Sequence, residues 1–552
     1  MKTVDIQQEG ISYVAFSFLL AFYFALVVNI PIYKELIGIF STLDGVKTGF
    51  VITIPIFFIA ALNFLFNLFT WPWIGKPFFI LLLILSSMVS YASYNYGTLF
   101  DYGMIANIIE TDSSEAGSYF SAYSAIWVLL MGIVPALLLA KAKLRPLKGE
   151  LLRFSIAKLI SMIASLAVIA AIAGLYYQDY SSVGRNNSYL KKMIIPTQFV
   201  HSATGYIKKN YLTTPEPYRE IGTEAKQSQA ALKQAEDKPT LLVFVVGETA
   251  RSQNYELNGY DRNTNAYTSQ LDVISFQDFA SCGTATAVSL PCMFSQLTHN
   301  KFDRNKADNQ DNVLDVMQRA GIDLLWKEND GGDKNVAHKI KKVTIDRNRV
   351  DQWCNGSTCY DIALLNGLDQ EIESMNGNRV VTLHLNGSHG PTYFQRYPKD
   401  KAFFQPDCPR ADIENCSVEQ IINSYDNTIR YTDYVLEQTI EKLNGLEDKY
   451  NTALIYISDH GESLGENGMF LHGMPYSLAP EYQKRVPFVT WMSPGFKQVK
   501  QVNSDCLKRE AQVVGKYSQD NVFHSLLGLM DVQTNAYDSS LDIFKTCRTP
   551  NT

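Results

Sequence analysis

The chain has 552 residues and a net charge of −6 from 49 Lys/Arg and 55 Asp/Glu, yet residues 1–178 hold only 19 charged side chains (10 Lys/Arg, 9 Asp/Glu) while the other 374 hold 85. A mean hydropathy of −0.07 is therefore the average of an oily third and an ordinary globular two-thirds, which excludes a wholly soluble protein, a collagen-like chain and a disordered one. With no basic half, nucleic acid is excluded as a partner.

Five stretches lack Asp, Glu, Lys and Arg: 10–33, 48–75, 77–100, 116–140 and 159–178. Each suffices for the roughly 20 helical residues that cross a hydrocarbon core of about 30 Å. Five in succession, flanked by Tyr and by Trp71 and Trp73, read as a transmembrane domain over 1–178 rather than buried core helices. No cleavage site separates the first run from the rest, so it is not a signal peptide. The connection between runs four and five carries Lys141, Lys143, Arg145, Lys148, Arg153 and Lys158, which places it in the cytoplasm. The loop near 101–115 has Asp101, Glu110, Asp112 and Glu115 and no basic residue, which places it outside. An odd number of spans then leaves everything after Gln178 outside.

Cysteine usage agrees, because disulfides persist in oxidising compartments, and all eight cysteines lie at or beyond Cys282. Proximity alone suggests Cys282 with Cys292, Cys354 with Cys359 and Cys408 with Cys416, leaving Cys506 for Cys547, among on the order of 100 possible connectivities. A zinc ribbon is disfavoured because no C-x-x-C occurs.

Residues 179–239 turn polar and read as a bridging linker with helical pieces, its Lys191, Lys192, Lys208 and Lys209 interleaved with Tyr and Ile in a way that suits either a lipid surface or a solvated helix. From Thr240 to the end, short apolar runs at 241–246, 322–326, 380–385, 453–457 and 486–491 read as strands. Helices are expected near 311–320 and 418–444. Strands apolar on both faces belong in a parallel sheet with helices on either side, and such folds place ligands at the carboxyl ends of their strands.

Those ends carry chemistry. Gly247-Glu248-Thr249 follows one run, Ser458-Asp459-His460-Gly461-Glu462 another, and Asn386-Gly387-Ser388-His389-Gly390 a third. Oxygen and imidazole donors of this kind suit zinc, although a single acid after a strand more often caps a helix. His384, inside its strand, reads as a satisfied core histidine. His389 and His472 lie in Gly-bounded loops where an imidazole can meet a phosphate oxygen. The Thr-rich loop from Ser281 to Cys292 offers hydroxyls between two cysteines. A Thr alcohol is a weak nucleophile until a metal favours its alkoxide. At a helix start, backbone N–H groups beside Thr286 would also favour phosphate.

The segments Val246-Gly247-Glu248-Thr249-Ala250-Arg251, Cys282-Gly283-Thr284-Ala285-Thr286 and Ser458-Asp459-His460-Gly461-Glu462-Ser463-Leu464-Gly465 closely resemble the lipid A phosphoethanolamine transferases, which include the mobile colistin-resistance enzymes. The resemblance covers essentially the whole chain. It implies five membrane helices and an α/β/α alkaline-phosphatase or sulfatase-like periplasmic domain over 240–552. It further implies that Glu248, Thr286, Asp459 and His460 hold a zinc ion, that Thr286 becomes phosphoethanolamine-modified, and that His389, His472 and Lys334 bind phosphate or substrate groups. Whether a second zinc joins during turnover stays open. Relatives with Asn at the second position of Asn329-Asp330-Gly331-Gly332-Asp333-Lys334 are matched here by Asp330, an extra carboxylate that repels phosphate unless paired. The segment Met104–Thr111 resembles the part of the family that folds beneath the catalytic domain, which makes Asn107 and Glu115 candidates for a lipid pocket.

The resulting expectation is a monomeric bacterial inner-membrane enzyme that moves phosphoethanolamine from phosphatidylethanolamine to a lipid A phosphate and so weakens attraction to polymyxins. Rivals on the same scaffold are transfer to an inner sugar of lipopolysaccharide, a phosphoglycerol transferase and a sulfatase. The last needs a C/S-x-P-x-R arrangement that neither Cys282 nor Cys292 begins. A membrane sensor whose outer domain only binds a ligand is the rival of another class.

Overall fold

The computed structural model describes residues 10–548 except Asp44, 112–115, Ser118, Lys148 and Pro215. The chain forms two compact units. Met1–Asp101 with Ser121–Gly205 make a helical unit, and Tyr102–Phe120 with Tyr206–Thr552 make a globular one.

The helical unit contains α1 (Tyr13–Val28) and α2 (Ile30–Ser41), α3 (Thr48–Phe69) and α4 (Gly75–Tyr96). After α5 (Tyr102–Glu110), which belongs to the globular unit, come α6 (Ala122–Lys141) and α7 (Leu151–Asn186). Four of these helices are long and apolar enough to cross a membrane, or five with the pair α1/α2, bent by 51°, taken as one span. The bend has a local cause. Asn29 donates its amide to the carbonyls of Phe24 (2.9 Å) and Ile195 (2.6 Å) and accepts from Ile195 N (2.8 Å), while Pro31 removes a backbone donor. Between α3 and α7, Asn63 donates to the hydroxyls of Ser161 (3.0 Å) and Ser165 (2.9 Å), a polar tie of the kind that joins helices in lipid.

The last helix exceeds the uncharged run 159–178 at both ends. Lys158, which bounds that run in the sequence, is buried: its ammonium donates to Thr70 O (2.9 Å) and lies 3.9 Å from the centre of the Trp71 ring, so the charge is absorbed and the helix continues. Asp179, the opposite boundary, pairs with Lys47 at 2.9 Å.

The globular unit is built on a seven-stranded sheet. In chain order its strands are β1 (Thr240–Gly247), β2 (Ile274–Phe276), β3 (Asp323–Glu328), β4 (Lys341–Thr344), β5 (Arg379–His384), β6 (Asn451–Ser458) and β7 (Phe488–Met492). Their order across the sheet is β2-β7-β6-β1-β5-β3-β4. Every residue of β1 and β6 is buried, as expected of central strands covered on both faces. The parallel expectation fails at one strand: β7 runs antiparallel to β6 and to β2. An antiparallel strand beside a parallel core needs no crossover helix, and apolar composition alone does not distinguish the two directions. Helices α8 (Thr286–Phe294), α9 (Val313–Arg319), α10 (Val418–Gly445) and α11 (Val522–Leu529) complete the frame used below.

The segment 179–239 is divided between the two units. Residues to Gly205 belong to the helical unit, and from Tyr206 the chain is part of the globular unit. There Ile221 and Ala225 are buried in the core and Lys226-Gln227 pair with Val532-Gln533. Asn378 Nδ2 also donates to Gln227 Oε1 at 2.7 Å. Its polar composition reflects edge and surface positions that still pack.

Candidate active site

The carboxyl ends of β1 and β6 lie side by side, with Gly247 opposite Ser458, so the residues that follow each strand meet. After β1, Glu248 is fully buried and Thr249 adopts a left-handed backbone, φ 61°, unfavourable for a β-branched residue. Three contacts hold that turn: Thr249 N donates to Asp459 Oδ1 (3.2 Å), Tyr425 OH of α10 donates to Thr249 O (2.7 Å), and Thr249 Oγ1 donates to Glu248 Oε1 (2.7 Å). After β5, Gly387 has φ 52° and lies so near that a Cβ would come within 2.6 Å of Glu248 O, which is why the His389 loop turns on a glycine.

Four candidate residues converge here. Thr286, the first residue of α8, places Oγ1 3.2 and 3.3 Å from the two Glu248 carboxylate oxygens and 3.4 Å from His460 Nε2. His460 Nε2 is 3.3 Å from Glu248 Oε1 and 3.4 Å from Asp459 Oδ2. Donors spaced about 3.3 Å apart are what a tetrahedral ion with bonds near 2.0 to 2.1 Å requires. His460 Nδ1 lies 2.9 Å from Gly461 O, so a proton on Nδ1 is held there and Nε2 faces the cluster. The residues fit a zinc ion in donor chemistry and in spacing.

The electrostatics agree. Burial raises the Asp459 carboxyl, and the adjoining Glu248 charge raises it further. Burial alone would push Glu248 up, but His460 outweighs it and holds the carboxyl low. Burial likewise opposes a charged His460, and the Asp459 and Glu248 carboxylates overcome it. The protonated His460 offsets part of the charge of the two buried carboxylates, and a metal ion on Nε2 would take over that part.

Histidines line one side of the cluster. The His472 ring centre is 4.4 Å from that of His460 and 5.7 Å from that of His389. His472 is oriented by a residue the sequence reading passed over: Glu462, fully buried, lies with Oε2 2.9 Å from His472 Nδ1 and accepts Tyr393 OH on Oε1 (2.6 Å). Its signal was present, since Glu462 stands two residues after His460 in the same motif.

The other candidates are placed differently. The Lys334 ammonium donates to Glu110 O at the end of α5 (3.0 Å), and its backbone is left-handed at φ 45°. Glu110 also pairs with Arg304 (3.1 Å). Asn107, inside α5, is buried, and its carbonyl accepts from Thr111 Oγ1 (2.7 Å). Met104 of α5 reaches Gly473, next to His472, so α5 packs beside that histidine. Glu115 lies outside the described residues, as do Asp112 and Lys148. Asp330 has its carboxylate 3.8 Å from His384 Nε2. His384 is not the satisfied core residue expected: Nδ1 is 2.9 Å from Glu328 Oε2, but Nε2, buried, has no hydrogen-bond partner. A strand position says nothing about what stands opposite the ring, which is why the sequence misled.

The structure pairs Cys282 with Cys292, Cys354 with Cys359, Cys408 with Cys416 and Cys506 with Cys547. The first closes the loop that carries Thr286.

Comparison with known proteins adds to this geometry. Residues 240–532 match the family model described as Sulfatase, and residues 58–211 match one described as Phosphoethanolamine transferase EptA/EptB. Phosphoethanolamine transferase EptA of Escherichia coli (strain K12) is 36% identical over 544 residues, 98% of each chain. Phosphatidylethanolamine transferase Mcr-1 of Escherichia coli is 36% identical over 454 residues, 80% of this chain and 83% of that one. The solved structure of the integral membrane protein lipooligosaccharide phosphoethanolamine transferase A from Neisseria meningitidis superposes with a TM-score of 0.90 at 34% identity, covering 98% of this chain and 99% of that chain.

Proposed function

The chain belongs to the phosphoethanolamine transferase family, and we propose on that premise that it moves phosphoethanolamine from phosphatidylethanolamine to a phosphate of lipid A through a covalent intermediate on Thr286. It is a membrane protein whose globular unit is periplasmic, and the inner membrane, where its donor lipid resides, is the proposed location. Glu248, Asp459 and His460, with the Thr286 hydroxyl, would hold one zinc ion. When bound, zinc supplies the positive charge that favours a Thr alkoxide and offsets negative charge on the transferred phosphoryl group. The observation that carries the reading is the position of Thr286 Oγ1, within 3.4 Å of three donor atoms of the cluster.

The steps then follow from the chain's own groups. Thr286 Oγ1, having given its proton to solvent as the alkoxide forms, attacks the donor phosphorus, a new P–O bond forms, and the bond to the diacylglycerol oxygen breaks. That oxygen takes a proton from His389 or His472, whose rings lie beside the cluster. Glu462 and Tyr393 keep His472 in place for that transfer. Backbone N–H groups at the start of α8 favour the phosphoryl charge. In the second half a lipid A phosphate oxygen attacks the same phosphorus and Thr286 leaves. The phosphate so masked carries an amine, and attraction to cationic peptides such as polymyxins falls. Lys334, Asp330 and Asn107 are proposed at the substrate side, with the protein acting as a monomer.

Intact-mass measurement after incubation with phosphatidylethanolamine tests the intermediate. The wild type should gain one phosphoethanolamine and Thr286→Ala none, and lipid A from cells making the wild type should gain the same group. An adduct on the alanine variant, or none on the wild type under any quench, refutes the assignment. The sensor alternative predicts zinc without any adduct.

A further inference from the structure

We propose that Glu248, Asp330 and His384 form a second divalent-cation site, which shares the Glu248 carboxylate with the Glu248–Asp459–His460 centre and in that respect rests on the reading above. One donor atom from each of the three residues lies within 4.8 Å of the others. His384 Nε2 stands 3.8 Å from Asp330 Oδ2, too far for a hydrogen bond. It is close to the separations of about 3.3 to 4.2 Å found between ligands across an ion with bonds near 2.1 Å.

The strongest argument is the state of His384. The ring is wholly buried, with Nδ1 2.9 Å from the Glu328 carboxylate and Nε2 without any hydrogen-bond partner. A buried ring nitrogen left unpaired in a native fold calls for an explanation. The arrangement matches the way metal-bound histidines are held, with one nitrogen hydrogen-bonded to a carboxylate and the other presented to the ion. Glu328 is itself fixed, accepting Trp326 Nε1 (2.8 Å) on Oε2 and Asp330 N (2.7 Å) on Oε1. A short run of chain, from Trp326 to Asp330, thus sets both the histidine's orienting group and one ligand. Asp330 keeps 10% of its side chain exposed, which leaves an ion a route in. One imidazole and two carboxylates suit zinc or manganese better than the all-oxygen preference of calcium or magnesium.

Equilibrium dialysis of the chelator-stripped full-length protein in detergent against zinc, followed by elemental analysis, is the test. Wild type should bind two ions per chain. His384→Gln should bind one, as should Asp330→Asn, whose site lies near the surface and whose replacement preserves shape, so that misfolding does not mimic the result. Glu328→Gln, which alters the group behind the histidine and leaves the three ligands in place, should weaken the second ion about 10- to 100-fold. A single ion in wild type that His384→Gln leaves in place overturns the proposal, and so do two ions retained in His384→Gln or in Asp330→Asn. Zinc loss in His460→Gln reports on the first centre alone, so the two readings fail separately.

Discussion

Gln519 offers a sharp test of how the site is held, because it touches no candidate substrate position yet spans both halves of the cluster. Its buried amide donates through Nε2 to the carbonyls of Ser458 (3.0 Å) and Asp459 (2.6 Å), and its Oε1 accepts Cys282 N (2.7 Å). One side chain therefore ties the strand end that carries Asp459 and His460 to the loop that leads to Thr286. Gln519→Leu keeps nearly the same volume and removes all three bonds. It leaves at least the Cys282 N–H and the Asp459 carbonyl buried without partners, at about 1–3 kcal/mol each, so a loss of roughly 2 to 6 kcal/mol is expected in urea unfolding. Transfer should suffer more than stability. With the two halves free to relax by about 1 Å, a drop on the order of 100-fold in turnover is expected. The assay is phosphoethanolamine transfer in detergent, run beside the unfolding curve. Wild-type turnover in a destabilised Gln519→Leu protein would refute the idea that this bridge positions the nucleophile, and unchanged stability would refute the hydrogen bonding itself.

Asp459→Asn and His460→Ala should each lose the zinc proposed at the first centre, since an ion held there would have few protein ligands; elemental analysis of purified protein decides it, and full occupancy with normal transfer would reduce the pair to a strand cap. Cys282→Ser/Cys292→Ser opens a loop with a sequence separation of 10, worth about 2 to 3 kcal/mol by chain entropy, so thermal stability should fall modestly while transfer falls well over tenfold. Loss of equal weight in both, or of neither, would mean that the bridge does not hold Thr286.

Much of the site was legible because its signals are local. Glu248 follows β1, and Asp459 and His460 follow β6, so reading apolar runs and inspecting what comes next finds all three. Thr286 needed more: a Thr-rich loop is usually a turn, and the likeness of its segment to a family is what separated this hydroxyl from its neighbours as nucleophile. Lys158 shows the opposite failure. A charge normally ends a membrane span, but the Thr70 carbonyl and the Trp71 ring absorb this one, and neither partner can be inferred from position in the chain.

What stayed illegible has one physical origin. Gln519 lies about 60 residues from Asp459 in sequence, and Tyr393 lies 69 from Glu462, so each reaches the cluster only once the sheet has brought distant loops together. The same holds for the strained Thr249, whose φ of 61° is affordable because Asp459 and Tyr425 grip its backbone from two other elements. The candidate ligands themselves were written beside the strands, whereas the groups that aim them are supplied by tertiary neighbours. A sequence motif therefore locates the chemistry, and the precision with which Thr286, His472 and the carboxylates face one another depends on residues such as Gln519 and Glu462 that no local pattern marks.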